Sequence, residues 1–363
     1  MSPMSFGPNG GSKLWGGCMA NTSLGLGLVL LAGVLNGSFA APTKFASRWK
    51  WENIWTVWSV VALFLAPWVL VFGTISAPFS FYRNGGIGIL LLLFGFGAGF
   101  GLSQILFGLG LAAVGLSLGF AITVGLSTAL GSFIPLVILQ PQTLRTPKGM
   151  MILAGVGSIL VGITLCAVAG REKEKSALST VSTGPGAATQ SKSFKMGLLL
   201  CLLAGLGSPL VNFGLAFGTP LLSRAAQLGL GSASQANVVW APLLSAALIP
   251  YLAYCFYLCS KNRTWHLFVL PGTGSHWLLG AAMGLLWMTS VALYGTASAQ
   301  MAAMGPILGW PLFMSVIIVT ANVWGLMTGE WAGIRRGPIT LMLVGILFLI
   351  LGFCFVAFGS RLA

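Results

Sequence analysis

Few residues of this chain could do chemistry. The acids are four glutamates, Glu52, Glu172, Glu174 and Glu330, and there is no aspartate. The two histidines, His266 and His276, lie in or beside one connector, 261–275. A Ser-His-Asp set, a metal cage or a pair of catalytic carboxylates lacks parts here. Of six cysteines, only Cys18 lies outside an apolar run. Cys255 and Cys259 share a helix face but have no His near them in sequence. The Gly-x-Gly repeats at 95–101 sit inside an apolar run with no strand before them, so they are no phosphate loop. The expectation is a protein that is not an enzyme, with no cofactor and no metal.

What remains inside the apolar runs is neutral and polar: Asn36, Ser38, Gln104, Asn212, Gln300 and Asn322. An amide is costly in hydrocarbon unless it faces protein or water. It can serve as interhelical glue, worth about 0.6–2 kcal/mol. As a set, amides and hydroxyls both donate and accept, which suits a neutral polyol. Trp287 and Trp310 stand apart from most other Trp and offer flat faces to the C–H side of a sugar ring. These eight residues are the candidate substrate contacts. Trp51, Trp55, Trp58, Trp68, Trp265, Trp277 and Trp331 lie nearer the ends of runs, where an interfacial belt is expected. Glu52 beside Lys50, and Glu330 five residues before Arg335, read as interfacial ion pairs.

The elements that must hold these groups are membrane helices. The chain of 363 residues is 56% hydrophobic and 6% charged, with a mean hydropathy of +0.94. A soluble domain carries about 25% charged residues. The net charge of +14 does not point to nucleic acid, because the basic residues sit in short connectors between apolar runs, as expected beside anionic lipid. Runs of about 20 apolar residues can span a bilayer. They predict ten spans, at 24–42, 53–74, 86–108, 111–138, 149–169, 196–217, 235–260, 276–297, 303–327 and 338–359. Residues 1–23, rich in Gly, Ser and Asn and without the pattern of a signal peptide, are expected to be disordered. The charged, Ser- and Gly-rich stretch 170–195 reads as a cytoplasmic linker.

The linker divides the chain into halves, 24–169 and 196–363. Leu30-Leu31-Ala32-Gly33 of the first span recurs as Leu202-Leu203-Ala204-Gly205 of the sixth. The fold class is therefore an all-α integral membrane protein, ten helices in two five-helix repeats. Five spans per repeat invert the copies, as in secondary transporters. Six basic residues fall on the side of the tail (Lys13, Arg83, Arg145, Lys148, Arg224 and Arg361) and twelve on the other. The richer side is cytoplasmic, so both termini are expected outside.

Three stretches carry a resemblance. Ala41-Pro42-Thr43-Lys44, with Trp49-Lys50-Trp51-Glu52-Asn53-Ile54-Trp55, resembles the first loop of the L-rhamnose–proton symporters, Ala-Pro, Lys, then Trp-x-Trp-Glu-x-x-Trp. Gly101-Leu102-Ser103-Gln104-Ile105-Leu106-Phe107-Gly108 is similar to that family's third span, which has Asn at the place of Gln104. Gly329-Glu330-Trp331 with Arg335-Arg336-Gly337-Pro338-Ile339-Thr340 resembles its final loop. The resemblance implies a ten-helix member of the drug/metabolite transporter superfamily in a bacterial inner membrane, moving a sugar. It also implies a proton or another coupling ion. Those symporters can carry an acid just ahead of the residue matching Trp310, where this chain has Met304-Gly305-Pro306-Ile307. His276 and Glu330, near the interfaces, are the coupling candidates.

The expected function is uptake of L-rhamnose or a similar neutral monosaccharide by alternating access. Two alternatives stay open: an exporter of drugs or metabolites with the same fold, and a membrane scaffold that transports nothing. An exporter of cations would want an acid inside the membrane. A scaffold would bury its amides against neighbours and leave no polar pocket.

Overall fold

Lipid offers a backbone amide no partner, so an apolar chain must satisfy its own N–H and C=O groups. A computed structural model describes residues 21–178, 187–329 and 331–360, and every regular element among them is helical. The tail through residue 20, and residues 179–186 of the linker, lie outside the described residues.

Among the described residues, ten helices are long and apolar enough to cross a membrane. They are span 1 (Thr22–Thr43), span 2 (Trp51–Thr74), span 3 (Ile87–Val114), span 4 (Leu118–Leu139) and span 5 (Pro147–Lys173). After the linker come span 6 (Phe194–Gln227), span 7 (Asn237–Lys261), span 8 (Gly274–Gln300), span 9 (Ala302–Met327) and span 10 (Arg336–Gly359). Successive spans reverse direction. Ten alternating spans put the ends that flank the linker on the same face as the connectors 1–2, 3–4, 7–8 and 9–10; we call it the linker face.

Three departures from the expected boundaries have physical causes. Span 3 does not stop at Gly108 but runs to Val114. The break is at Gly115, whose φ of +89° suits a residue without Cβ. Span 6 is interrupted in mid-course: one helix ends at Gly207 and the next begins at Leu210, with Pro209 between. Span 2 widens to a π-helix at Val61–Leu65. Pro67 begins the following helix segment, and its ring crowds the carbonyl four residues back, so the wider turn relieves the clash. Next to the linker, helices run on to Leu178 and start again at Ala187. Residues 171–175, Arg-Glu-Lys-Glu-Lys, are good helix formers.

The packing interleaves the two halves of the chain. Span 1 lies against spans 8 and 9, span 2 against 7 and 8, and span 3 against 6 and 7. Span 4 meets 5, 6 and 9, and span 5 runs along span 10. Small residues make these crossings close. Gly97 and Gly101 of span 3 touch the backbone of Leu243 and Ala247 in span 7, while Gly280 and Gly284 of span 8 sit on Val57 and Val61 of span 2.

A Cβ at Gly97 would fall on the Leu243 carbonyl oxygen, whereas one at Gly95 would meet open space. Gly97→Ala is therefore expected to lose about 1–3 kcal/mol through overpacking. Gly95→Ala should be neutral or gain slightly from helix propensity. Thermal unfolding of the two purified variants checks the pair; equal melting temperatures would refute the crossing.

Candidate functional site

Span 2 opens with Trp51, Trp55 and Trp58 at positions i, i+4 and i+7, which line one helix face. The Trp51 and Trp55 rings stack at 5.6 Å, and Trp55 meets Trp58 edge-on at 5.0 Å. Three other spans bring rings to Trp58. Phe39, just past the end of the span 1 α-helix, lies at 5.9 Å, Tyr251 of span 7 at 5.7 Å, and Trp287 of span 8 at 5.5 Å. Trp58 is 5% exposed, and its indole N–H has no hydrogen-bond acceptor. A buried donor left unmade is costly and calls for an explanation.

Polar groups stand beside this cage. Asn36 of span 1 donates through Nδ2 to Ser290 Oγ of span 8 at 2.9 Å. Ser290 is fully buried and lies three residues beyond Trp287, so the two share a face. A cavity of about 310 Å3 adjoins the cage at the linker face and is lined by Ala40, Thr43, Trp49, Lys50, Trp51, Ile54 and Trp55 among others. That volume is at the small end for ligand pockets. The cavity thus presents the rings of Trp49, Trp51 and Trp55, the Thr43 hydroxyl and one cation, Lys50, while Trp58 and the Asn36–Ser290 pair lie outside its lining.

A second cluster binds spans 4, 6, 8 and 9 together and leaves no free polar group on its central amide. Asn212 is fully buried in the second segment of span 6. Its Nδ2 donates to the carbonyls of Gly131 at 2.9 Å and Pro306 at 3.1 Å, and its Oδ1 accepts from the Tyr294 hydroxyl. The Tyr294 ring meets Trp310 at 5.8 Å, and Trp310 Nε1 donates to the Ser127 carbonyl at 3.0 Å. Ser132 Oγ adds a bond to the Ile307 carbonyl at 2.7 Å.

The eight candidate contacts therefore divide. Asn36 and Trp287 meet at the aromatic cage; Asn212 and Trp310 meet at the second cluster. Ser38 bonds back to Val34 and accepts from Trp324 Nε1 at 2.8 Å. Gln104 of span 3 reaches Ser208, at the break of span 6, over 3.5 Å. Gln300 is buried at the end of span 8 beside Gly25. Asn322 bonds the Ile318 carbonyl of its own helix and borders a separate cavity of about 190 Å3 between spans 4, 5 and 9.

The ionisable groups also have definite places. His276 is buried: it contacts the Trp49 ring at 5.6 Å and accepts the Arg48 backbone N–H on Nε2 at 3.3 Å. Glu330 lies outside the described residues. Glu52 differs from the interfacial ion pair expected of it. It is buried, and its carboxylate accepts from Asn262 Nδ2 and Thr264 Oγ1 in the connector between spans 7 and 8.

Sequence reasoning assigned Trp58 to an interfacial belt and passed over Tyr251 and Tyr294. The i, i+4, i+7 spacing of the span 2 tryptophans was a usable signal. Rings meant only for the interface need not continue two turns into a span.

A polytopic membrane protein whose buried polar groups are nearly all neutral, and whose helices carry a break and a π-turn, belongs among the membrane transport proteins. Residues 19–361 match the family model described as L-rhamnose-proton symport protein (RhaT). The chain belongs to this family, one of proton-coupled sugar transporters and not of enzymes. It is similar to proteins named L-rhamnose-proton symporter. That of Yersinia pestis (strain Pestoides F) is 26% identical over 349 residues, covering 93% of this chain and 99% of the relative. That of Klebsiella pneumoniae subsp. pneumoniae is 26% identical over 344 residues, covering 93% and 98%.

Proposed function

We propose that this protein carries L-rhamnose, or a closely similar neutral monosaccharide, into the cell together with a proton by alternating access. The family supports the reaction class. The observation that carries the site is the ring cage around Trp58, with an indole N–H that has no acceptor and the Asn36–Ser290 pair beside it. A deoxy sugar has a methyl group and C–H faces for the rings of Trp58, Tyr251 and Trp287. Its hydroxyls can accept from the Trp58 N–H and exchange bonds with Asn36 and Ser290. None of these three rings, nor Asn36 or Ser290, carries a formal charge to pair with an ionised solute.

The ten spans are read as two inverted halves, 24–169 and 196–363, of the drug/metabolite transporter type. Support comes from the packing, whose most extensive pairs are kept when each span is exchanged for the one five places on. Span 1 lies against 8 and 9, and span 6 against 3 and 4. The repeated Leu-Leu-Ala-Gly takes part: Gly33 faces Val316 of span 9, and Gly205 faces Leu126 of span 4. Gly25 and Gly197, each eight residues earlier, face spans 8 and 3. The Asn36–Ser290 bond between spans 1 and 8 has its counterpart in Gln104–Ser208 between spans 3 and 6. Two such halves can rock about a site at their interface.

With twelve basic residues on its side, the linker face is assigned to the cytoplasm of a bacterial inner membrane, leaving both termini outside. The cavity beside the cage then lies on the cytoplasmic side of the site. The Asn212–Tyr294–Trp310 cluster, nearer the other face, serves as the closure against the outside. Asn212 and Trp310 act there as a seal, while Asn36 and Trp287 meet the sugar.

A panel of sugars tested by thermal shift of the purified protein checks the substrate class. Binding at 100 times Kd stabilises by about 2.7 kcal/mol. L-rhamnose should raise the melting temperature, and acidic or cationic solutes should not. A shift with cationic drugs alone would favour the exporter instead.

A further inference from the structure

Span 2 begins on a buried acid. Glu52 is 4% exposed and is the second residue of the helix. Its Oε1 takes two hydrogen bonds from the connector between spans 7 and 8, from Asn262 Nδ2 at 3.0 Å and Thr264 Oγ1 at 2.9 Å. The neighbouring residues hold the same connector: Asn53 Nδ2 donates to the Thr264 carbonyl at 3.0 Å, Trp49 Nε1 to the Leu267 carbonyl at 2.9 Å, and Arg48 to the Pro271 carbonyl at 3.3 Å. These bonds tie spans 1 and 2 to spans 7 and 8 across the linker-face end of the aromatic cage. Rocking of the two halves has to loosen this tie.

Most acceptors in the tie are backbone carbonyls, which do not titrate. His276 Nε2 accepts one longer bond, from the Arg48 backbone at 3.3 Å. Glu52 is the carboxylate. Facing it are the Lys50 ammonium from its own helix, and the thiols of Cys255 and Cys259 from span 7. When ionised, its two bonds are charge-assisted and about twice as strong as neutral ones. Protonation places one proton on a carboxylate oxygen, removes the charge and weakens both bonds; no covalent bond between heavy atoms changes. Loss of the proton to water restores the tie.

We infer that Glu52 is the proton-binding group whose protonation releases the connector between spans 7 and 8 and so couples proton entry to opening of the linker face. The inference rests on the proton-coupled sugar reading above. It differs from the sequence-based candidates, Glu330 and His276.

The test uses the full chain in liposomes, with Glu52→Gln and Glu52→Asp. Gln keeps an oxygen for Asn262 and Thr264 but cannot titrate. Two uptakes of labelled L-rhamnose are measured: counterflow without a gradient, and accumulation driven by an inward proton gradient. Glu52→Gln should lose accumulation by at least about tenfold, to the equilibration level, while counterflow stays within about threefold of wild type and loses its pH dependence. Glu52→Asp should retain accumulation with a shifted pH profile. Accumulation by Glu52→Gln at the wild-type level would overturn the inference. If Glu52→Gln fails in both assays, Glu52→Asp decides, and its failure to accumulate overturns the inference as well. Absence of L-rhamnose counterflow in the wild type would instead sink the sugar reading beneath it.

Discussion

Trp287→Leu is expected to weaken L-rhamnose binding by about tenfold or more while leaving the protein folded. Trp287 is 8% exposed and offers its ring to the cage opposite Trp58. Aromatic anchors of this kind contribute about 2 kcal/mol or more to binding. Each 1.4 kcal/mol is about tenfold in affinity. Leucine keeps apolar volume against Trp58 but removes the flat face. Alanine is the poorer test, because truncating a buried Trp costs about 3–5 kcal/mol of stability by itself. Trp287→Phe should retain binding to within about threefold, since a ring face remains. Trp265→Leu, at an exposed indole in the connector between spans 7 and 8, should bind as the wild type does. Calorimetric titration of the purified variants gives the comparison. Equal affinities for Trp287→Leu and wild type would remove Trp287 from the site.

The second large effect falls at Asn212 and is one of stability. Asn212→Leu removes three hydrogen bonds at once and leaves the Gly131 and Pro306 carbonyls and the Tyr294 hydroxyl buried without their partner. At about 0.6–1.5 kcal/mol per bond, the expected loss is about 2–4 kcal/mol. Tyr294→Phe removes one bond and should cost about 1 kcal/mol. Because that bond is the one Asn212 accepts, the double variant should be little worse than Asn212→Leu alone. Thermal unfolding reads all three. The same variants should still be stabilised by L-rhamnose, because Asn212 seals and does not touch the sugar. An Asn212→Leu protein as stable as wild type but blind to L-rhamnose would reverse that assignment and put Asn212 in the binding site.

The spans were legible because lipid leaves so few options: a stretch of about 20 apolar residues must be a helix, and hydropathy finds it. Their joints were less so. Gly108, Gly110 and Gly115 are alike in sequence. Gly110 stays helical where it meets Cys201 of span 6, and only Gly115 turns. The polar residues inside the spans were easy to pick out, but not their grouping, since that depends on partners far along the chain. Asn36 meets Ser290 and Asn212 meets Tyr294, pairs 254 and 82 residues apart. The same holds for Trp58. Near the end of a span, a tryptophan at the interface and a tryptophan in a cleft look alike until Tyr251 and Trp287 arrive from other helices. Glu52 was paired on paper with Lys50, two residues away. Asn262 and Thr264 of a distant connector reach its carboxylate as well.

The central claim is that a neutral sugar enters through this bundle in company with a proton. External pH is the most direct witness. Purified protein in lightly buffered liposomes, given L-rhamnose outside with no imposed gradient, should draw protons inward with the sugar. The medium should then turn alkaline in step with labelled L-rhamnose entry. Entry of the sugar with no change in external pH, or no entry at all, would contradict the account.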